Sequence, residues 1–384
     1  MKFNINPRST FEQNKKYDGV SLYSGGTDST LSSILGTKDC GGEILLLMAN
    51  LSIEGAGLET AIERAKIMGK DLLIVDGHAE FAQNYLNEAI AMNASYQGYP
   101  NGTPMGRAFA VMSAVQALNN GKDSPKYMIH GCVKRQNTRI RIEELSGIHN
   151  IVGYGPFIAR PPYTREEKVA MLKKCNIEVV SQDSFATDEN IWNRAVEGVD
   201  LNDLGCEIDE ERIFIWTKSI NQTPDKPVRV MLTFSEGNLV SLNGQDKPLH
   251  DIIIELLYLG GEHGVGRIMV IEDTIPIFSE KIRDYYEAPS ASIITTAHKF
   301  IEACIFTKQE RDEKDALDKL WGEQVYEGRW FYPSIRNIAK RGWELQKKVS
   351  GIVTLELFKG NIIIRSADIP NSRLLTKQAN KGTY

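Results

Sequence analysis

Cysteine is scarce in this chain of 384 residues: Cys40, Cys132, Cys175, Cys206 and Cys304 are scattered, with no Cys-x-x-Cys pair. An odd, dispersed set argues against a disulfide framework and a thiolate zinc site, and predicts reduced thiols. Long hydrophobic runs are missing too. The stretch from Ile252 to Leu259 is interrupted by Glu255 and falls far short of the roughly 18 apolar residues that a membrane span needs. Positive charge is not in excess, since 45 Lys and Arg against 50 Asp and Glu leave a net charge of −5. That balance argues against non-specific nucleic-acid binding as the main task, although Lys134, Arg135, Arg139 and Arg141 form one basic patch. The first residues are polar (Asn4, Asn6, Arg8, Glu12, Lys15, Lys16) and carry no signal-peptide core. A cytoplasmic protein with small-molecule partners, not nucleic acid or membrane, is therefore expected. Ordinary composition, with 42% hydrophobic and 25% charged residues, predicts globular structure, and the length allows two domains.

What is present begins at Tyr23-Ser24-Gly25-Gly26-Thr27-Asp28-Ser29-Thr30. A short, partly β-branched run, Asp18 to Leu22, precedes it as a buried strand would, and Leu31, Ile34 and Leu35 follow at helical spacing. A glycine-rich turn from strand to helix offers unpaired N–H groups and the positive end of a helix dipole to an anion. The loop is no Walker A motif, because no Gly-Lys-Ser/Thr closes it, and no Gly-x-Gly-x-x-Gly fingerprint. Its Ser-Gly-Gly-x-Asp-Ser pattern resembles the loop of the PP-loop ATP pyrophosphatases. That resemblance implies a grip on the pyrophosphate end of ATP while the α-phosphorus is attacked.

From Val20 to about Val180 strands and helices alternate, which predicts an α/β domain with a parallel sheet. Strands are expected at 43–48, 71–75 and 127–130, and helices at 59–68, 82–91 and 105–118. The strand ends at Tyr23–Gly26, Met48–Asn50 and His130–Gly131 are where such a sheet gathers its functional groups. Beyond Gln182 the pattern changes. A hairpin around Glu236-Gly237, a second joined by Lys359-Gly360, and helices at 249–259, 292–306 and 308–321 predict an α+β domain. The expected division is 1–182 for nucleotide binding and 183–384 for a synthetase and oligomerisation domain.

Three further stretches narrow the reading: Gly261-Glu262-His263-Gly264-Val265-Gly266-Arg267 with Glu272, Tyr286-Glu287-Ala288-Pro289; Thr187-Asp188-Glu189-Asn190-Ile191-Trp192; and Val325-Tyr326-Glu327-Gly328-Arg329-Trp330-Phe331-Tyr332-Pro333. With the loop, they resemble the argininosuccinate synthase family from about Val20 to Leu375. The resemblance implies ligation of citrulline to aspartate, with ATP and Mg2+, forming AMP and pyrophosphate through an adenylated ureido intermediate. It places Tyr23 to Thr30, Ala49 and Gly131 at ATP. Tyr99, Thr103, Arg107, Asn137, Thr138, Arg141, Ala186, Ala195, Glu272 and Tyr286 fall at the amino-acid substrates, the last two in step if a turn near Thr274 to Phe278 carries two extra residues. Asn137, Arg141 and His130 are the candidate catalytic groups. No protein-only metal site is expected, and the family's tetramers imply a homo-oligomer, tetramer or dimer.

Several positions depart from the pattern. The family's two serines at the citrulline amino-acid end stand here as Ala186 and Ala195, the carboxylate that meets the aspartate ammonium is Thr138, and Val133 to Arg139 gains arginines. Each lost hydrogen bond to a charged group is worth about 1.5 to 3 kcal/mol, so a paralogue acting on another acceptor or amine is the alternative. A non-catalytic ATP-binding protein is the alternative of another class. A tRNA-thiolating PP-loop enzyme would need sulfur-carrying cysteines and a basic face, and neither is visible. His130 and His263 read equally as structural histidines, and Trp192, Trp321 and Trp330 as core anchors.

Overall fold

The computed structural model describes residues 4–374 apart from 13–14, 54, 56, 119–126, 135, 180–184 and 275–279. Five strands, β1 (Gly19–Leu22), β2 (Ile44–Asn50), β3 (Leu72–Asp76), β4 (Tyr127–Ile129) and β5 (Val152–Tyr154), pair in parallel in the order β3-β2-β1-β4-β5. Alternation along β2 and β3 sorts their side chains between two faces. Leu46, Met48, Leu72 and Ile74 pack with Ala61 and Ala65 of the Leu58–Ile67 helix, whereas Leu45, Leu47, Leu73 and Val75 join Phe81, Met105 and Phe109 in the main core. A strand covered on both faces must be apolar throughout, which is why Ile44 to Met48 is all buried.

The second half is α+β, as expected. One antiparallel sheet runs Arg267–Asp273, Lys281–Glu287, Arg194–Glu197, Ala186–Glu189; another runs Gln245–Asp246, Asn238–Leu242, Val228–Ser235, Gly351–Phe358, Asn361–Asp368. Both predicted hairpins form, and their turns place Glu236 and Gly237, or Lys359 and Gly360, at positive φ, the geometry that matches strand twist. Helices Pro289–Ile305 and Pro333–Gln346 begin on proline, and Lys308–Tyr326 begins on a Thr307/Glu310 capping box.

Some expectations need correction. The helix predicted from Ala82 to Ala91 is divided into a turn at His78–Phe81, a π-helical turn at Ala82–Leu86 and a turn at Asn87–Ala91. Within the wide turn the Tyr85 ring meets Phe81, Phe109 and Trp330 at 5.7, 5.7 and 5.1 Å. The helix expected from Met105 starts at Gly102, because Pro104 is compatible with a first turn. The turn at 275–279 and the tail beyond Leu374 lie outside the described residues. None of the five cysteines is joined in a disulfide, and Trp192, Trp321 and Trp330 are buried. Among the described residues no helix is long and apolar enough to cross a membrane.

A buried polar knot ties the C-terminal helices to the segment leading into the site. Asn93 donates to Glu302 (2.7 Å) and Asp318 (2.9 Å), Lys314 pairs with both carboxylates, and His298 joins Asn93 to Gln346 at 2.8 Å on each side. Further along, Asn101 donates to the Gly322 carbonyl at 2.7 Å, and a Cβ on Gly322 would stand 2.3 Å from the Ser95 carbonyl oxygen. The segment carrying Tyr96 and Tyr99 is thus clamped against the Lys308–Tyr326 helix.

Candidate active site

The turn expected to hold phosphate forms just after β1 ends. Gly25 adopts φ +76°, and a Cβ there would lie 2.7 Å from the Ala61 backbone, so only glycine fits without strain. Gly26 is an extended N-cap with no side-chain bond, and Thr30 N–H donates to the Gly26 carbonyl at 2.9 Å. The N–H groups of Thr27, Asp28 and Ser29 therefore have no acceptor within the helix. Ser24 and Ser29 hydroxyls lie 3.1 Å apart and close the turn. Two cations flank it: Arg64 donates to the Gly25 carbonyl at 2.6 Å, and Lys168 pairs with Asp28 at 2.9 Å. Neither was singled out from the sequence, since each comes from a distant helix. Tyr23 turns away from the turn, buried with its hydroxyl on the Ala61 carbonyl, so its side chain braces the Leu58–Ile67 helix. Ala49, partly buried, ends β2 beside it.

The end of β4 joins this turn to the rest of the site. A Cβ on Gly131 would meet the Asp28 backbone at 3.1 Å, so glycine keeps the chain close to the loop. Buried His130 has its Nε2 3.7 Å from Glu143 and without a hydrogen bond. The chain then enters the Asn137–Gly147 helix, which carries Asn137, Thr138 and Arg141. Arg139, one of the arginines that pointed to altered substrates, is tied to Glu143 at 2.9 Å within this helix. Val133 and Lys134 are exposed, and Arg135 lies outside the described residues.

Arg141, Glu272, Tyr99 and Tyr286, four of the expected substrate-contact residues, come together around a residue that sequence reasoning had left in a motif, Tyr326. Arg141 is buried, donates from Nε to the Tyr326 carbonyl at 2.6 Å and lies 4.4 Å over the Tyr326 ring. Asn137 donates to the Tyr326 hydroxyl at 2.6 Å, and that hydroxyl donates to Glu272 at 3.1 Å. Tyr286 donates to the other Glu272 oxygen at 3.4 Å. Tyr99 stacks on Tyr286 at 4.2 Å, and Tyr96 on Tyr326 at 3.6 Å. Burial pushes the Glu272 carboxyl up to about 7 against the lowering pull of Arg141 and the tyrosine hydroxyls. Burial also raises Tyr99, Tyr286 and Tyr326, so their hydroxyls stay protonated donors.

The remaining predicted positions differ in burial and partners. Arg107 pairs with Asp188 at 2.6 Å. Thr103, at the start of the Gly102–Leu118 helix, is buried with its hydroxyl unpartnered, as are both side-chain polar atoms of Asn193. A Cβ on Gly102 would strike Asn193 Oδ1 at 1.6 Å, which explains the glycine. Ala195 is buried against Tyr99 and Tyr286, while Ala186 is exposed on the sheet edge. Thr138 is half-buried. Tyr96 and Asp284 were missed, and Asp188 and Tyr326 were read only as parts of motifs. Period-two alternation along the Lys281–Glu287 strand, applied to Tyr286, would have found Asp284.

Two family models match in sequence order: the arginosuccinate synthase N-terminal HUP domain over residues 19–178, and the arginosuccinate synthase C-terminal domain over residues 185–380. Argininosuccinate synthase of Methanopyrus kandleri is 33% identical over 92% of this chain and 89% of its own length. That of Pyrococcus furiosus is 34% identical over 94% and 87%, and that of Picrophilus torridus 30% over 91% and 87%. The phosphate turn, the Arg141–Glu272 cluster and these matches together establish that the chain belongs to the argininosuccinate synthase family.

Proposed function

We propose that this protein is an AMP-forming carbon–nitrogen ligase that joins citrulline to aspartate at the expense of ATP. The observation that carries the reading is continuity. Gly131 approaches the Asp28 backbone, and ten residues later in sequence Arg141 bonds Tyr326, whose hydroxyl donates to Glu272. One short stretch of chain thus links a phosphate turn to a site for a polar, planar group. Residues 1–182 serve as the ATP-binding domain and 183–384 as the synthetase and oligomerisation domain of a cytoplasmic homo-oligomer.

The reaction asks for positioning and charge stabilisation more than for a nucleophilic side chain. The ureido oxygen bonds to the α-phosphorus as the bond to pyrophosphate breaks. The amine nitrogen then attacks the ureido carbon, AMP leaves with the former ureido oxygen, and the amine protons pass to solvent. The Thr27–Ser29 N–H groups, Arg64 and Lys168 hold negative charge at the phosphate end. Asn137 and Arg141 hold the developing charge where ureido group and α-phosphate meet. A magnesium ion fits beside Asp28, whose side chain is 48% exposed at the turn, and Ser29. Magnesium commonly keeps few protein ligands when it rides on phosphates, and it would neutralise their charge.

Pyrophosphate release tests the proposal. Release is expected only with ATP, citrulline and aspartate together, in equal amount to AMP; release no greater than the ATP-only background overturns it. Ala195, apolar and buried against Tyr99 and Tyr286, favours one second reading, the same chemistry on another acceptor or amine, which a screen scored by AMP formation separates. Sedimentation of the purified protein decides between dimer and tetramer.

A further inference from the structure

The four-stranded sheet turns one face toward Tyr99, and alternation defines the rows on it. Val270 pairs with Asp284, and Ala186 with Glu197. Tyr286 pairs with Ala195 and Tyr285 with Val196, and continuing that antiparallel register by one more residue brings Glu197 beside Asp284. One row therefore reads Val270, Asp284, Glu197, Ala186, and the next reads Ile268, Tyr286, Ala195, Asp188. Two carboxylates, Asp284 buried and Glu197 exposed at the end of its strand, stand side by side between an aliphatic residue and an alanine.

Asp284 has no structural reason to be a carboxylate. It is only 3% exposed, its Oδ2 has no hydrogen-bond partner, and no described residue forms a salt bridge with it or with Glu197. A buried, unpartnered carboxylate destabilises a fold unless a proton or an outside cation satisfies it. The nearby cations are already engaged: Arg107 by Asp188, Arg141 by the Tyr326 carbonyl and ring. Asp284 faces Glu197, Glu272 and Arg141, and burial with the two carboxylates pushes it up to about 8. The row can thus accept a positive group, while Arg107, the cation beside Glu197, is already paired with Asp188.

We propose that Asp284 and Glu197 anchor an ammonium group at the far end of the acceptor, so that this site reads the acceptor's positive charge rather than its carboxylate. The inference rests on the reading of this cleft as the acceptor side of the ligase, and it names the feature of the acceptor that is read. An ammonium entering at neutral pH displaces the Asp284 proton to solvent and leaves an ion pair.

The test is calorimetric binding to the full-length protein in two buffers of different protonation enthalpy. The ligands are citrulline, aminobutylurea, which lacks the carboxylate, and ureidopentanoate, which lacks the ammonium. Aminobutylurea is expected to bind within about 3-fold of citrulline, and ureidopentanoate about 10- to 100-fold more weakly. Binding of the two cationic ligands should release protons at pH near 7 and tighten as pH rises through about 8. Asp284→Asn, close in shape, should erase both the preference and the proton release, and Glu197→Gln should reduce the preference. Equal loss from removing either end, or a preference and proton release untouched by both substitutions, overturns the proposal. Circular dichroism of each variant checks folding. Pyrophosphate assays run in parallel keep the readings apart: absent turnover with Asp284-dependent ammonium binding sinks the ligase reading alone, and turnover without that dependence sinks this one alone.

Discussion

The two ends of the site are built on opposite principles. At the proposed ATP end one contiguous turn offers backbone N–H groups and small residues half open to water. At the proposed acceptor end, side chains from six separate segments meet in a buried aromatic and acidic cluster. Backbone dipoles suit an invariant pyrophosphate, which needs no discrimination. Convergent side chains suit a substrate that must be told from its analogues, because unpaired buried polar groups penalise the wrong one. Substitutions should therefore act differently at the two ends.

The largest effect is expected at the acceptor end. Arg141→Ala removes the buried cation and leaves the Tyr326 carbonyl without its donor, so turnover should fall by about 100- to 1000-fold, with ATP binding intact by equilibrium dialysis. An unchanged rate would mean that Arg141 is structural. Next comes Gly25→Ala, which forces a side chain into positive φ and against Ala61. It should weaken ATP binding by about 10- to 100-fold while citrulline binding, measured without ATP, is unmoved; loss of both would blur the division between the ends.

Tyr326→Phe should have a smaller effect. It takes a hydroxyl from Asn137 and Glu272 and should lower acceptor kcat/KM by about 10-fold. The hydroxyl lowers the Glu272 pKa, so its loss should move that group further above about 7, read as an upward shift in the pH–rate profile. A fall in rate with no shift would show that Tyr326 acts by packing alone.

The smallest effect concerns stability. Asp284 has a folded pKa of about 8, above its unfolded value of about 4. The folded state binds more protons between those values, so the stability that Asp284 contributes is greatest at low pH and falls as pH rises toward about 8. Asp284→Asn should raise Tm more at pH near 8 than at pH near 5. The reverse order would place a partner on Asp284.

The same contrast explains what was legible in the chain. Ser24 to Thr30 could be read because the features that bind phosphate, a strand end, two glycines and a helix start, are adjacent in sequence. The parallel sheet and both hairpins were legible for the same reason, since period and turn residues are local signals. Tyr326 was quoted only within a motif because its role depends on contacts with Asn137 and Glu272, 189 and 54 residues away. Asp284 escaped notice because nothing beside it in sequence tells that its carboxylate is buried and unpartnered. Arg139 was read from sequence as a sign of altered substrates, and what sequence did not tell is that Glu143, one helical turn on, pairs with it. Gly102 and Pro104 looked like a loop until the close approach of Asn193 explained the glycine.

The central claim is that the ureido oxygen attacks the α-phosphorus of ATP held at the Ser24–Thr30 turn. Citrulline labelled with heavy oxygen in its ureido group tests it most directly. With aspartate and ATP, mass spectrometry should find the label in the phosphate of AMP, one atom for each pyrophosphate released. Label retained in the organic product, or ADP and phosphate in place of AMP and pyrophosphate, would contradict it.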